Sequence, residues 1–253
     1  MKWIPILTLA SLSLGAIADH HEFVATEIKI KAAMTQEIRS EAETARDSNR
    51  KPVDTLEFFG LRDNMTVLEL VPGGGWYTKI LAPTLEESGK LYVSIGGERI
   101  GAALAGKEGF GSLEVVPFDG ANFIRTPGSR RVSVPEFNFD LGEEVDLALT
   151  FRNMHNFTQD GRMNINDAVF AVLKSGGHYG VVDHTRRHMQ SDSDENWRRM
   201  DPVQIIKEVQ AAGFEFVDYS DLHYRADDEL RYEVARKTVT GNTDRFTLLF
   251  RKP

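Results

Sequence analysis

The stretch "VLELVPGGGWYTKIL" (residues 67–81) runs from apolar residues through Glu69 into three consecutive glycines, and then straight into a helix-forming segment. Glycines at such a junction adopt conformations that other residues avoid, and they let a ligand approach the main chain. Two phosphate-binding motifs are excluded by spacing. A dinucleotide fingerprint needs G-x-G-x-x-G, whereas Gly73, Gly74 and Gly75 are followed by Trp, Tyr and Thr; a P-loop needs Gly-Lys-Ser/Thr, which is absent. What remains is an acidic residue with glycines four and six positions later: Glu69, Gly73 and Gly75. A glycine-rich turn that holds no ligand is the competing reading.

Working outward, short apolar runs recur after Pro52: 66–71, 91–95, 113–118, 145–151, 178–183, 214–220 and 245–250. Continuous rather than alternating apolarity suits strands buried on both faces, hence a parallel sheet covered by helices. Between the runs lie helical segments. The clearest is 201–212, where Asp201 is placed to cap, Pro202 takes the first helical position and Gln204 the third. Val203, Ile206 and Val209 would share its buried face, and Gly213 would stop it. The segment "AVFAVLKSGG" (168–177) reads as a helix ending in glycine. Strands alternating with helices predict an α/β doubly wound sheet. No crossover helix is obvious in 221–244, although 227–237 could form one, so the last strand is expected to pair antiparallel with its neighbour.

Ahead of this unit, residues 22–49 hold good helix formers with no Gly or Pro, predicting an N-terminal helical arm over 19–50, with the main domain over 51–253. Residues 1–18 read as a cleaved secretory signal: Lys2 is the positive region, 3–15 are mostly apolar, and Ala16-Ile17-Ala18 offers small residues at the cleavage site. The expected location is therefore outside the cytoplasm, in the periplasm, with no stable membrane insertion after cleavage. Cleavage after Ala18 would leave Asp19-His20-His21 at the terminus: either a solvated polar end or a square-planar nitrogen set suited to Cu(II). The 253 residues contain no Cys, so disulfides, thiolate metal sites and thiol nucleophiles are all excluded. Net charge is −8 with Lys+Arg 30 against Asp+Glu 38, which argues against nucleic acid as a partner.

"VLELVPGGGWYTKILAP" resembles the first motif of class I S-adenosylmethionine-dependent methyltransferases, with Val71 where that motif usually has its first glycine. The chain is similar above all to a group of secreted predicted methyltransferases. It shares with them "ARDSNRKPVDTLEFFGL" (45–61), "TFRNMHNF" (150–157), "LKSGGHYGVVDH" (173–184), "RRMDP" (198–202), "AAGF" (211–214) and "RFTLLFRKP" (245–253). The resemblance implies a mostly parallel seven-stranded sheet with an antiparallel last strand, and S-adenosylmethionine as cofactor for methyl transfer to a small-molecule acceptor.

By the same resemblance Gly73 and Gly75 would line the methionine part of the cofactor, Glu69 and Gly74 would belong to the same cofactor-binding turn, and Asp119 would meet the adenine amine. The ribose-binding acid is missing, since positions 95 and 96 are Ile and Gly; Glu98 either substitutes for it or the contact is lost. Asn153 and His155, then Asp183 and His184, sit at the expected ends of the fourth and fifth strands. His155 is the preferred general base because histidine titrates near neutrality. Arg152 lies beside them, and Arg198 and Arg199 would either bind an anionic substrate or fix the start of the 201–212 helix. His155, Asp183 and His184 match no standard metal-ligand spacing, so no metal is expected. A binding protein on the same fold, without turnover, is the alternative.

Overall fold

The computed structural model describes residues 14–253, with side chains from Phe23 onward. The secretory signal falls largely outside the described residues, and so do the side chains of Asp19-His20-His21. Among the described residues no helix is long and apolar enough to cross a membrane.

Seven strands form one sheet: β1 (Thr66–Leu70), β2 (Lys90–Ser94), β3 (Leu113–Val115), β4 (Val145–Phe151), β5 (Leu173–His184), β6 (Glu215–Ser220) and β7 (Arg245–Arg251). Their spatial order is 3-2-1-4-5-7-6. β7 runs antiparallel to both neighbours and the other pairings are parallel. This is the class I methyltransferase fold, with the antiparallel last strand that the chain's end predicts. No regular helix joins β6 to β7, as expected of an antiparallel return.

The central strands are apolar because both their faces are covered, whereas the edge strands β3 and β6 are largely exposed. Val67, Leu91, Leu147 and Leu149 point to one layer and Leu68, Tyr92 and Ala148 to the other. The first layer is made by α1 (Leu14–Met34), α4 (Pro52–Phe58), α5 (Thr78–Leu85) and α6 (Glu98–Leu104); the second by α7 (Gln159–Val172) and α8 (Pro202–Ala211).

The N-terminal segment is not one continuous helical arm. After α1 come two single-turn helices, α2 (Glu41–Thr44) and α3 (Asp47–Arg50). The break has a local cause in a capping box: Glu43 accepts the Ser40 backbone N–H at 2.8 Å, reciprocating the bond from the Glu43 N–H to Ser40. α1 is also part of the core rather than an appendage. Phe23, Ile30 and Ala33 are buried in one layer with Leu81 and Leu85.

Two further expectations are corrected. In α8 the buried apolar residues are Ile205 and Val209, whereas Val203 is 39% exposed. Asp201 caps as expected by accepting from Val203 N–H at 2.9 Å, but Gln204 turns to Glu208 instead of closing a box. The helix expected over 168–177 ends at Val172, and β5 begins at Leu173, so Gly176 and Gly177 lie in the strand.

Candidate active site

Strand register aligns the carboxyl ends of β2, β1 and β4: Leu70 pairs with Ser94 on one side and Thr150 on the other. The chain then bends in the same way along this edge. Val71 (φ 53°), Ile95 (φ 56°) and Arg152 (φ 62°) all take the left-handed conformation, which costs an L-residue about 1–2 kcal/mol. Such strain persists only where the surroundings fix it. Val71 is held by its N–H to Ser94 O at 2.9 Å and by Asn153 Nδ2, which donates to Val71 O at 3.0 Å. The turn that the resembled motif makes with glycine is thus made here with valine.

Past Val71 the backbone opens. Gly73 (φ 60°) and Gly74 would present a Cβ to empty space, with nothing within 4 Å. Gly75 has a different duty: a Cβ there would lie 2.4 Å from Ile100, so its bareness serves α5–α6 packing. Gly73 and Gly74 wall a cavity of about 190 Å³, together with Glu69, Trp76, Tyr77, Phe151, Arg152, Asn153 and the α2–α3 residues Glu43, Arg46 and Arg50.

Glu69 is 2% exposed and accepts a hydrogen bond from Thr78 Oγ1 at 2.6 Å. Burial pushes its carboxyl up from the ordinary 4.5 to about 7, against the smaller pull of Thr78 and the Arg50 charge. A raised carboxyl stabilises the fold at low pH, and that stability is lost as pH rises through 7. Glu69→Gln keeps an acceptor for Thr78 and removes the buried charge. It is therefore expected to be more stable than wild type above pH 7, by up to about 3 kcal/mol, and equal to it near pH 4. Urea denaturation at both pH values measures this.

At the ends of β2 and β3 both expected carboxylates are present and exposed. Glu98 Oε1 accepts from Phe118 N–H at 3.1 Å, and Asp119 Oδ1 accepts from Ala121 N–H at 2.8 Å, capping a short 3₁₀ turn. A Cβ at Gly96 (φ 88°), two residues before Glu98, would meet nothing within 4 Å. Neither acid lines the 190 Å³ cavity; they flank the adjoining part of the same sheet edge.

The third group gathers at the ends of β4 and β5. Asp183, fully buried, lies 2.7 Å from His155 Nδ1 and accepts the His155 N–H at 3.0 Å and the His184 N–H at 2.7 Å. His184 Nδ1 meets Thr243 Oγ1 at 2.9 Å. Burial holds the His184 pKa well below the usual value, aided by the charges of His155, Arg152, Arg245 and Arg199, so this ring stays neutral. His155, Asp183 and His184 are thus brought together. Asn153 is not free for chemistry, because its amide also donates to Phe151 O at 3.0 Å and clamps the two strand ends.

These histidines line a second cleft, of about 430 Å³, with Arg152, Trp197, Arg198 and Arg245 and part of the 234–243 segment. Arg199 is elsewhere, fully buried in a two-pronged pair with Asp228 at 2.8 and 3.0 Å. Arg152 lines both spaces and so marks their junction. Sequence reasoning gave no role to Arg50, Arg245, Trp197 or Thr243. Arg50 and Arg245 do fall inside the quoted segments 45–61 and 245–253. Among the described residues no group of three or more His, Asp or Glu is arranged to hold a metal ion.

No protein-family profile and no curated protein matches the chain, whereas many solved structures share its fold. A SAM-dependent methyltransferase from Aquifex aeolicus is similar with TM-score 0.55 and 16% identity, over 90% of this chain and 98% of that one. The [4+2]-cyclase SpnF is similar with TM-score 0.57 and 16% identity, over 94% and 95% of the two chains. Human N-acetylserotonin methyltransferase, solved in complex with SAM, matches with TM-score 0.52 and 13% identity, over 91% of this chain and 57% of its own.

Proposed function

We propose that the protein is an S-adenosylmethionine-dependent methyltransferase acting on a small molecule, allied to the secreted group that its sequence resembles and exported to the periplasm. One observation carries the reading: Gly73 and Gly74 leave open space at the carboxyl edge of the sheet, beside the buried Glu69 and next to the cleft that holds His155. Ligands of open α/β sheets bind along this edge.

The residues fit the cofactor in two parts. Gly73 and Gly74 would admit the methionine portion against bare backbone, with Glu69 as the carboxylate facing its ammonium. Asp119 would accept from the adenine amine. Glu98, whose Oε1 accepts from the Phe118 N–H, would serve the ribose through Oε2 where Ile95 and Gly96 offer no acid. Gly75 supports this turn by packing on Ile100 rather than by touching a ligand.

When bound, the cofactor supplies an electrophilic methyl on a sulfonium. The chain's own task is positioning, with proton removal where the acceptor needs it. His155 is built for that second task. With Asp183 at Nδ1, its Nε2 is left to take a proton, and the buried carboxylate steadies the imidazolium that results. Neutral His184 and the clamp residue Asn153 hold the surrounding backbone in place.

A second reading, a non-catalytic or differently reacting protein on this fold, has two supports. Residues 95 and 96 lack the ribose-binding acid, and the similar SpnF structure is a [4+2]-cyclase. Titration of an Asp119→Ala variant separates the readings at the cofactor. Loss of the adenine contact is expected to weaken S-adenosylmethionine binding by about 1–3 kcal/mol. Equal affinity would remove Asp119 from the site.

A further inference from the structure

The arginines around the two spaces are unusual in having no anion of the protein's own. Arg50 and Arg245 are 5% and 6% exposed, and Arg152 is half-buried. Among the described residues none of the three forms an ion pair with a carboxylate, whereas their neighbours do: Arg199 with Asp228, and Arg198 with Glu233 at 3.3 Å. The acids nearby are already engaged. Asp183 holds His155 and the His184 amide, and Asp244 Oδ1 accepts from Arg225 N–H at 2.7 Å. Glu69 is bonded to Thr78.

An unpaired buried charge costs several kcal/mol, and neighbouring like charges add to this. The cost is visible in the guanidinium groups. Burial first, then the charge of Arg152, lowers Arg50 to about 9 and Arg245 to about 10; burial lowers Arg152 as well. Arg50 and Arg245 remain cationic at neutral pH. Composition does not explain the missing partners, since the chain has 38 acids to 30 bases. The positive cluster stands against the sign of the whole protein.

We propose that the 430 Å³ cleft receives an oxyanion, a carboxylate or phosphate, carried by the methyl acceptor. Arg152 and Arg245 bind the oxyanion, and Arg198 stands at the rim. This rests on the methyltransferase reading for the word acceptor; the anion site itself stands on the arginines. Guanidinium groups match both oxyanions through paired N–H donors. Trp197, whose ring meets His155 edge-on with centroids 6.3 Å apart, gives the cleft an apolar wall for the body of the molecule. The anion would be held on the same floor as His155.

Calorimetric titration of the protein with benzoate, phenyl phosphate and benzyl alcohol tests this. One anion or both should bind one-to-one, at least tenfold more tightly than benzyl alcohol, and the better of the two identifies the oxyanion. Arg245→Met and Arg152→Met should each weaken anion binding at least tenfold. Arg198→Met, at a half-exposed position that tolerates change, should weaken it about threefold even if the buried variants fail to fold. Equal binding of benzyl alcohol and the anions, or unchanged anion binding in every folded variant, overturns the proposal. S-adenosylmethionine is titrated in parallel. Cofactor binding without anion binding overturns this inference alone. Anion binding without cofactor binding supports the oxyanion site and tells against the methyltransferase reading instead.

Discussion

Gly73→Val is expected to abolish S-adenosylmethionine binding while leaving the protein folded. The backbone at Gly73 has φ 60°, and a side chain there meets no protein atom within 4 Å. The substitution therefore costs the fold only the strain of a left-handed valine, about 1–2 kcal/mol, against the 5–15 kcal/mol typical of a domain. The ligand loses more. The branched side chain fills the space that the cofactor's methionine portion would occupy against the turn, and it cannot rotate away because its χ1 is restricted. Circular dichroism establishes that the variant is folded, and calorimetry then reads the affinity. Wild-type affinity in a folded variant would place the pocket elsewhere. Gly75→Val makes the contrast: it meets Ile100 at 2.4 Å, so its first effect should be on stability.

Arg199→Met is the second large effect, expected to destabilise the protein by about 3–5 kcal/mol. The pair it breaks is fully buried, and Asp228 would be left with no cation. Asp228 also accepts the Asp244 N–H at 2.7 Å and the Leu230 N–H at 3.1 Å, while Arg199 holds the carbonyls of Tyr232 and Thr185. Together these bonds pin the long irregular segment between β6 and β7, of which Val234, Ala235, Thr240, Gly241 and Thr243 wall the second cleft. Urea denaturation should show the loss, and amide exchange should rise first in 228–244. A variant that also carries Asp228→Asn should recover part of the stability, because the orphaned charge is gone.

How much of this was legible in the sequence follows from where the signals lie. Apolar runs identified all seven strands, most strongly the central ones, whose two faces are buried; the exposed edge strands β3 and β6 carry a weaker signal. The antiparallel return was legible because 221–244 lacks a helical pattern. The failures are local. Leu173 begins a strand where helix was expected because β5 extends to pair with β4 and β7, a tertiary preference that no window of sequence contains. The arm was taken as unbroken although Ser40 and Glu43 spell a capping box.

At the site, motif reasoning singled out Glu69, Gly73 and Gly74, which wall one cavity, and His155 and Asp183, which the fold brings within 2.7 Å of each other. It gave Gly75 and Asn153 ligand or chemical roles, whereas the structure employs them in packing and strand clamping. It missed Arg50 and Arg245 because each comes from an element remote in sequence and meets the others only in the fold.

The most direct measurement is calorimetric titration of the protein with S-adenosylmethionine and with S-adenosylhomocysteine. The open turn at Gly73 and Gly74, with Glu69 beneath it, predicts one-to-one binding of both ligands, lost in Gly73→Val and weakened in Asp119→Ala. Absence of binding to the wild-type protein at millimolar ligand would contradict the account.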